Sequence, residues 1–406
     1  MKSNVKKILI VFVIVIAISI GAYFGYKQVS PIITSVQKTT GLPVGGSKGT
    51  SQTNQNISSN VPTGNGTGIL SYEQQHQNLS LLTNSSPMDY WISSSTSTAT
   101  STAFSSRIFY VNQNGEIVEI KGPLQEEVIS ASSYGTSQKI FQSIDGQKAA
   151  IKFKSGEVAI FDVKTKVWRD LGPDISSVAF SPDGTKLAIL KYSANSANIY
   201  TLSLASTKTS LSLMASLSAR DFSILWPDKN RIFLISKQSH DSIGQIWYLN
   251  INNKTVNLLA EGNGIGVVFS DLFNYVVEFV AKGPTDFVVS LVDKSGVKLA
   301  DMYLNTISQK CSFSYDQKQI YCAVPYENNK ETGLVLPDDY LMGAVYFHDG
   351  IYKIDVDTLS TSLILNLPDK MIDASNLKEA RNQLFFINRL DGQLYVLKVN
   401  EQSSSQ

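Results

Sequence analysis

Two cysteines and three histidines occur among the 406 residues. That scarcity rules out a disulfide-dense scaffold and a four-thiolate zinc site, and it leaves little for a histidine-rich metal centre. Charge is sparse as well: Asp, Glu, Lys and Arg make up 17% of the chain and the formal net charge is +1. A near-neutral balance gives no electrostatic reason to expect nucleic acid as a partner. No Gly-x-Ser-x-Gly elbow occurs within residues 87–400, and no motif calls for a cofactor or places catalytic residues. With 43% hydrophobic residues, the fold must rest on its apolar core.

What is present begins at the amino terminus. Lys2, Lys6 and Lys7 precede Ile8 to Tyr26, a run without a charged residue. Its length is close to the ~20 residues that cross a bilayer as a helix, and the flanking lysines keep residues 1–7 in the cytoplasm. The expectation is a transmembrane helix over 8–26, and hence a single-pass protein of the cell membrane with its C-terminal domain outside the cytoplasm. A cleaved signal peptide is the alternative, because Ala17 and Ser19 have the small-residue spacing of a cleavage site. Residues 27–86 are rich in Ser, Thr, Asn and Gly and read as a flexible linker, 87–400 as the folded domain and 401–406 as a polar tail. Within the linker, Ile69, Tyr72, Leu79 and Leu82 could stripe a short helix.

From Ser106 onward, short β-branched and aromatic runs alternate with turn residues and no helical period is sustained, so the class is all-β. Val178–Leu190, VAFSPDGTKLAIL, reads as strand, turn and strand, and weaker copies place Asp145, Asp228, Asp271 and Asp316 at positions comparable to Asp183. These recur at the ~40 to 45 residues of a four-stranded propeller blade. Degenerate copies at Phe104–Ile120 and Leu377–Val399 bring the total to seven blades of four antiparallel strands, with six and eight as the alternatives. Radial stacking buries both faces of every sheet and leaves only short edges. The last copy supplies three strands, and the expected fourth is Met88–Ser93, beside Leu394 to Val399, with Tyr90 and Ile92 on one face and Trp91 on the other.

The turn at Ser181, Pro182, Asp183 and Gly184 resembles that of TolB-type, WD-repeat-like β-propellers. The resemblance covers roughly Ser106 to Val399, and only this turn matches the motif in full. It implies the fold rather than an activity, since propellers host unrelated functions. In the motif these four residues have a structural role: Pro and Gly set the turn dihedrals and Asp bonds the turn amides.

Cys311 and Cys322 flank one such turn. Counting outward from Asp316 and Gln317 pairs Ser314 with Gln319, Phe313 with Ile320, and Cys311 with Cys322. The expectation is a disulfide across adjacent strands, the alternative two small buried thiols. An insertion follows, lengthening the sixth blade by about 20 residues relative to its neighbours, in the manner of loops that carry function on rigid scaffolds. Asp338, Asp339, Tyr340, Tyr346, Phe347 and His348 form a candidate binding loop there; the bland alternative is a loop packed over the propeller's own surface. His240 lies in a polar loop, and Gly262, Gly264 and Gly266 read as an interblade turn rather than a dinucleotide fingerprint.

Two functions remain. One is a non-enzymatic, membrane-tethered binding or scaffolding module for a protein, peptide or envelope polymer. The other is an extracytoplasmic enzyme, a glycan-active hydrolase or lyase, with its acids around the central channel. The inner strands read mainly apolar or small, which favours the first.

Overall fold

The computed structural model describes residues 78–93, 106–205, 210–218, 221–327 and 332–399. The expected membrane span at 8–26 and polar tail at 401–406 lie outside them. Among the described residues no helix is long and apolar enough to cross a membrane.

Among the described residues twenty-eight strands form seven four-stranded antiparallel sheets arranged as a propeller. Blade one is β2 (Tyr90–Ser93), β3 (Arg107–Val111), β4 (Ile117–Gly122) and β5 (Gln125–Ser130); blade two is β6 (Ser137–Gln142), β7 (Lys148–Phe153), β8 (Val158–Asp162) and β9 (Val167–Gly172). Blade three is β10 (Ile175–Phe180), β11 (Lys186–Tyr192), β12 (Ala197–Ser203) and β13 (Leu211–Leu217); blade four is β14 (Phe222–Asp228), β15 (Arg231–Ser236), β16 (Ile243–Asn250) and β17 (Val256–Asn263). Blade five is β18 (Gly266–Phe269), β19 (Tyr275–Ala281), β20 (Phe287–Asp293) and β21 (Lys298–Asp301); blade six is β22 (Cys311–Phe313), β23 (Gln319–Pro325), β24 (Asp349–Asp355) and β25 (Thr361–Leu365). Blade seven is β26 (Ala374–Ala380), β27 (Gln383–Asn388), β28 (Leu394–Lys398) and, on its outer edge, β1 (Leu79–Leu81).

The core is divided in the same way. Seven apolar clusters are present, one between each pair of neighbouring blades. Side chains alternate along a strand, so each strand feeds two clusters: Ile151 packs towards blade one and Ala150 towards blade three. Strands buried on both faces read as continuous apolar runs, which is why the inner strands look featureless in the sequence.

Closure of the ring differs from the expectation. Met88–Ser93 does not complete the last blade; Tyr90–Ser93 is the innermost strand of blade one, with Tyr90 and Ile92 packed on blade seven and Trp91 on blade two. The strand that closes the ring is Leu79–Leu81, inside the stretch read as linker, and its register pairs Leu79 with Leu397 and Leu81 with Tyr395. Leu-Ser-Leu is too short for its period to separate strand from helix. The copy at Phe104–Ile120 accordingly holds the second and third strands of its blade rather than the first two.

Candidate functional site

The two ends of the blades carry different chemistry. At one end lie the short turns between first and second strands. In blade three, Ser181 Oγ donates to Asp183 Oδ1 (2.6 Å) and accepts the Lys186 amide (2.9 Å), while Asp183 Oδ1 accepts the Thr185 amide (3.0 Å). These bonds hold the Asp183 carboxyl below the usual range. Ser143 with Asp145 and Ser314 with Asp316 repeat the arrangement in blades two and six. The fourth turn residue is left-handed in each case, at Gly146, Gly184 and Gln317. Gly146 meets a second demand, because a Cβ there would collide with the Ile92 carbonyl of blade one.

Blade five breaks this pattern. The residue that follows Ser270 is Asp271, so the acid stands where the other turns have Ile144, Pro182 or Tyr315, and Leu272 takes the place of the turn-pinning Asp. Phe273 is the left-handed residue. Placing Asp271 beside Asp183 by sequence is therefore out by one position.

At the other end of the blades lies the insertion of blade six, built from the residues between β23 and β24 around a short helix, α1 (Asp338–Leu341). It is a strap across several blades. Asp338 reaches blade four, where its Oδ2 accepts the His240 amide (2.6 Å) and faces His240 Nδ1 (3.1 Å), and its Oδ1 accepts from Ser239 Oγ (2.8 Å). Burial works against the charged form of Asp338, but these bonds outweigh it and hold its pKa below the usual range. Asp339 stays local and accepts the Val335 amide (2.8 Å). The Tyr340 and Phe347 rings stack 5.8 Å apart and both lie against Lys310 Nζ, 4.9 and 5.3 Å away. His348 Nε2 lies 3.0 Å from the Leu367 carbonyl, and Tyr346 is exposed.

Lys310 is the centre of a fully buried ion cluster that the sequence reading missed. It sits in the connection from blade five to blade six, 2.7 Å from Asp349 and 2.6 Å from Asp373, and Arg389 of blade seven meets Asp373 at 2.9 Å. Burial alone would lower the Lys310 pKa, yet Asp349, Tyr340 and Asp373 raise it. Asp349 moves the other way for a carboxylate: burial pushes it up to about 6, with Lys310 opposing and Asp373 adding to the rise. One ammonium serves two carboxylates, so the cation gains more than either anion does. Among the described residues Asp349 Oδ1 has no hydrogen-bond partner.

Near the axis, a bulge in β26 places Asn376 in the left-handed region and brings Lys378 to the Tyr90 carbonyl of blade one, with Gln142 of blade two 3.4 Å away and Asp89 3.8 Å away. Burial lowers the Lys378 pKa, opposed by Asp89 and Asp271. Polar groups thus converge in the channel more than the apolar inner strands suggest. The bulge and the position of Asp89 just before β2 put them there.

The candidate binding loop is therefore largely engaged in holding itself down: Asp338, Asp339, Tyr340, Phe347 and His348 all have internal partners, and only Tyr346 of the six is exposed. Leu341 and Met342, 47% and 73% exposed, complete the tip. Cys311 and Cys322 face each other in register and form a disulfide, both buried between blades five and six. Ser239 donates to Asp338 rather than to the His240 ring, so this Ser, His and Asp set does not have the order of a nucleophilic triad.

No family model matches the sequence, and a search of curated proteins finds no match. Solved structures do match. An oligogalacturonate lyase from Vibrio parahaemolyticus is 12% identical, with a TM-score of 0.53 over 80% of this chain and 97% of that one. An oligogalacturonate lyase in complex with manganese is 10% identical, with a TM-score of 0.50 over 73% and 83% of the two chains. TolB from Acinetobacter baumannii is 14% identical, with a TM-score of 0.43, and the match spans 67% of this chain and 62% of TolB. At these identities the likeness is one of fold: the chain is a seven-bladed β-propeller.

Proposed function

We propose that this protein is a membrane-tethered, extracytoplasmic propeller that binds a protein, a peptide or an envelope polymer through its strap end. The observation that carries the reading is the division of labour within the strap. Asp338 anchors it to blade four and its Tyr340 and Val345 carbonyls accept from Arg389 of blade seven, while Leu341, Met342 and Tyr346 stay exposed at its tip. Tyr303 and Tyr326, exposed at the same end of the blades, extend that surface. Aromatic and apolar groups on a rigid base are suited to binding rather than to acid–base chemistry. The apolar run at 8–26 behind three lysines supports a tether, and the disulfide supports an oxidising compartment. A second reading, an enzyme acting on envelope glycans, draws on the convergence of Lys378, Asp89 and Asp271 near the axis.

The test is capture of partners from native envelopes by the full chain and by a variant carrying Leu341→Ser, Met342→Ser and Tyr346→Ser. A partner retained by the wild type and lost by the variant supports the strap reading. Equal capture by both, or release of glycan fragments that Lys378→Met abolishes, would overturn it.

A further inference from the structure

The turn end of the channel holds a carboxylate that the fold does not use. In blades two, three and six the turn acid is consumed locally, bonded to the preceding serine and to a turn amide. In blade five the serine does this alone, since Ser270 Oγ accepts both the Asn274 and the Tyr275 amides at 3.1 Å. Asp271 is displaced by one position and released from that duty. Among the described residues its side chain has no hydrogen bond and no ion pair.

Its surroundings form a cleft of about 360 Å³. Ile144, Pro182, Pro227 and Leu272 supply apolar wall from the turns of blades two to five. The lining runs through the turn ends of blades two, three, four and five and reaches Lys294, between the two outer strands of blade five. Asp271 is open to solvent there yet surrounded by protein, and the loss of hydration pushes its carboxyl pKa up, with Lys378 opposing. Lys378 itself is held by blades one and two. The second acid of the lining, Asp228, is already paired with Arg231 at 2.7 Å. Glu379, the remaining acid near Asp271, accepts the Tyr315 and Asn382 amides.

We propose that this cleft is a binding site, separate from the strap tip, for the lysine side chain of an extended peptide, with the ammonium on Asp271 and the stem against Ile144, Pro182, Pro227 and Leu272. An unpaired carboxylate with apolar walls attracts a cation more strongly than one in bulk water, and a methylene stem adds apolar burial. The exposed Lys229 and Lys294 on the lining disfavour a second cation, which selects an isolated lysine flanked by neutral or acidic residues over a polybasic run.

The experiment measures binding of fluorescent acetyl-Ala-Glu-Ala-Lys-Ala-Glu-Ala-amide to the full chain in detergent, beside the same peptide with norleucine for lysine. The lysine peptide should bind saturably and the norleucine peptide about tenfold more weakly, as expected for loss of a charged contact. Asp271→Asn and Asp271→Ala, checked by thermal melting, should remove that preference while leaving norleucine binding unchanged. The strap-tip triple variant should bind the lysine peptide as the wild type does, which separates this site from the strap reading. Equal binding of the two peptides, absence of binding by both, or a preference that survives in the Asp271 variants would overturn the proposal.

Discussion

The strap end and the turn end of this propeller handle charge in opposite ways. At the strap end, Lys310, Asp349 and Asp373 are wholly buried and braced by Arg389, and the cluster ties blades five, six and seven to the insertion. At the turn end Asp145, Asp183 and Asp316 are solvated and act locally, each within its own hairpin. A buried ion cluster is costly to break and specifies one arrangement of the loops around it, whereas a turn acid stabilises only its turn. The same residue type therefore means different things at the two ends. Asp338 in the insertion, which looks like a binding acid, is a clamp, and Asp271, which looks like one more turn acid, has no partner among the described residues.

Removing the strand that joins the two ends should have the largest effect. β1 enters blade seven beside Leu397, towards the turn end, and leaves it beside Tyr395, towards the strap end, followed by the fully buried Leu82. Deletion through Gln77 should leave stability unchanged. Extending the deletion through Ser86 should cost on the order of 5 kcal/mol from lost leucine burial, read by denaturant unfolding; equal midpoints would show that the edge strand is dispensable.

Next in size is the strap cluster itself. Lys310→Met leaves Asp349 and Asp373 buried without their shared cation and should cost about 3 to 5 kcal/mol, whereas Lys294→Met, at the solvated turn end, should stay within about 0.5 kcal/mol. Similar losses in both variants would erase the contrast between the ends.

A smaller effect should appear in the pH dependence. Asp349 titrates near 6 in the folded chain, above its ordinary value of 3.8. The folded state thus binds its proton more tightly than the unfolded state does, so the stability it contributes is complete at low pH and is lost as pH rises through about 4 to 6. Asp349→Asn should flatten that segment of the stability profile. An unchanged slope in the variant would mean that the cluster keeps Asp349 ionised throughout.

Smallest, and sharpest as a comparison, are two matched substitutions in the turns of blades three and five. Asp183→Asn weakens the bonds to Ser181 and Thr185 and should cost about 1 kcal/mol. Asp271→Asn removes no bond and should be neutral within about 0.5 kcal/mol. Thermal melts of the two side by side decide whether the one-position shift in blade five has the consequence assigned to it.

Much of the fold was legible because propeller blades repeat. The Ser-Pro-Asp-Gly turn at 181–184 marks a hairpin by local chemistry, and its weaker copies give the count of seven. The cysteine pair was legible for the same reason: a short turn fixes its own register, and Cys311 opposite Cys322 follows from counting outward. The candidate site was less so. Tyr340 and Phe347 look like binding aromatics, but their rings pack on Lys310, which is contributed from outside the insertion. Nothing near Lys310 in sequence marks its partners, because Asp349 and Asp373 lie 39 and 63 residues further along the chain.

The sequence by itself determined what depends on neighbours along the chain: the apolar run at 8–26, the strand and turn rhythm of the blades, and the pairing of Cys311 with Cys322. Tertiary structure decided what depends on groups far apart in the chain. It chose Leu79–Leu81 over Tyr90–Ser93 as the closing strand, because the inner edge of blade one and the outer edge of blade seven were both open and only packing could assign the two segments. It also set which acids are paired, because a carboxylate's partner is fixed by the loops that ring closure brings beside it: Asp338 meets blade four, Asp373 meets Lys310, and Asp271 meets none among the described residues.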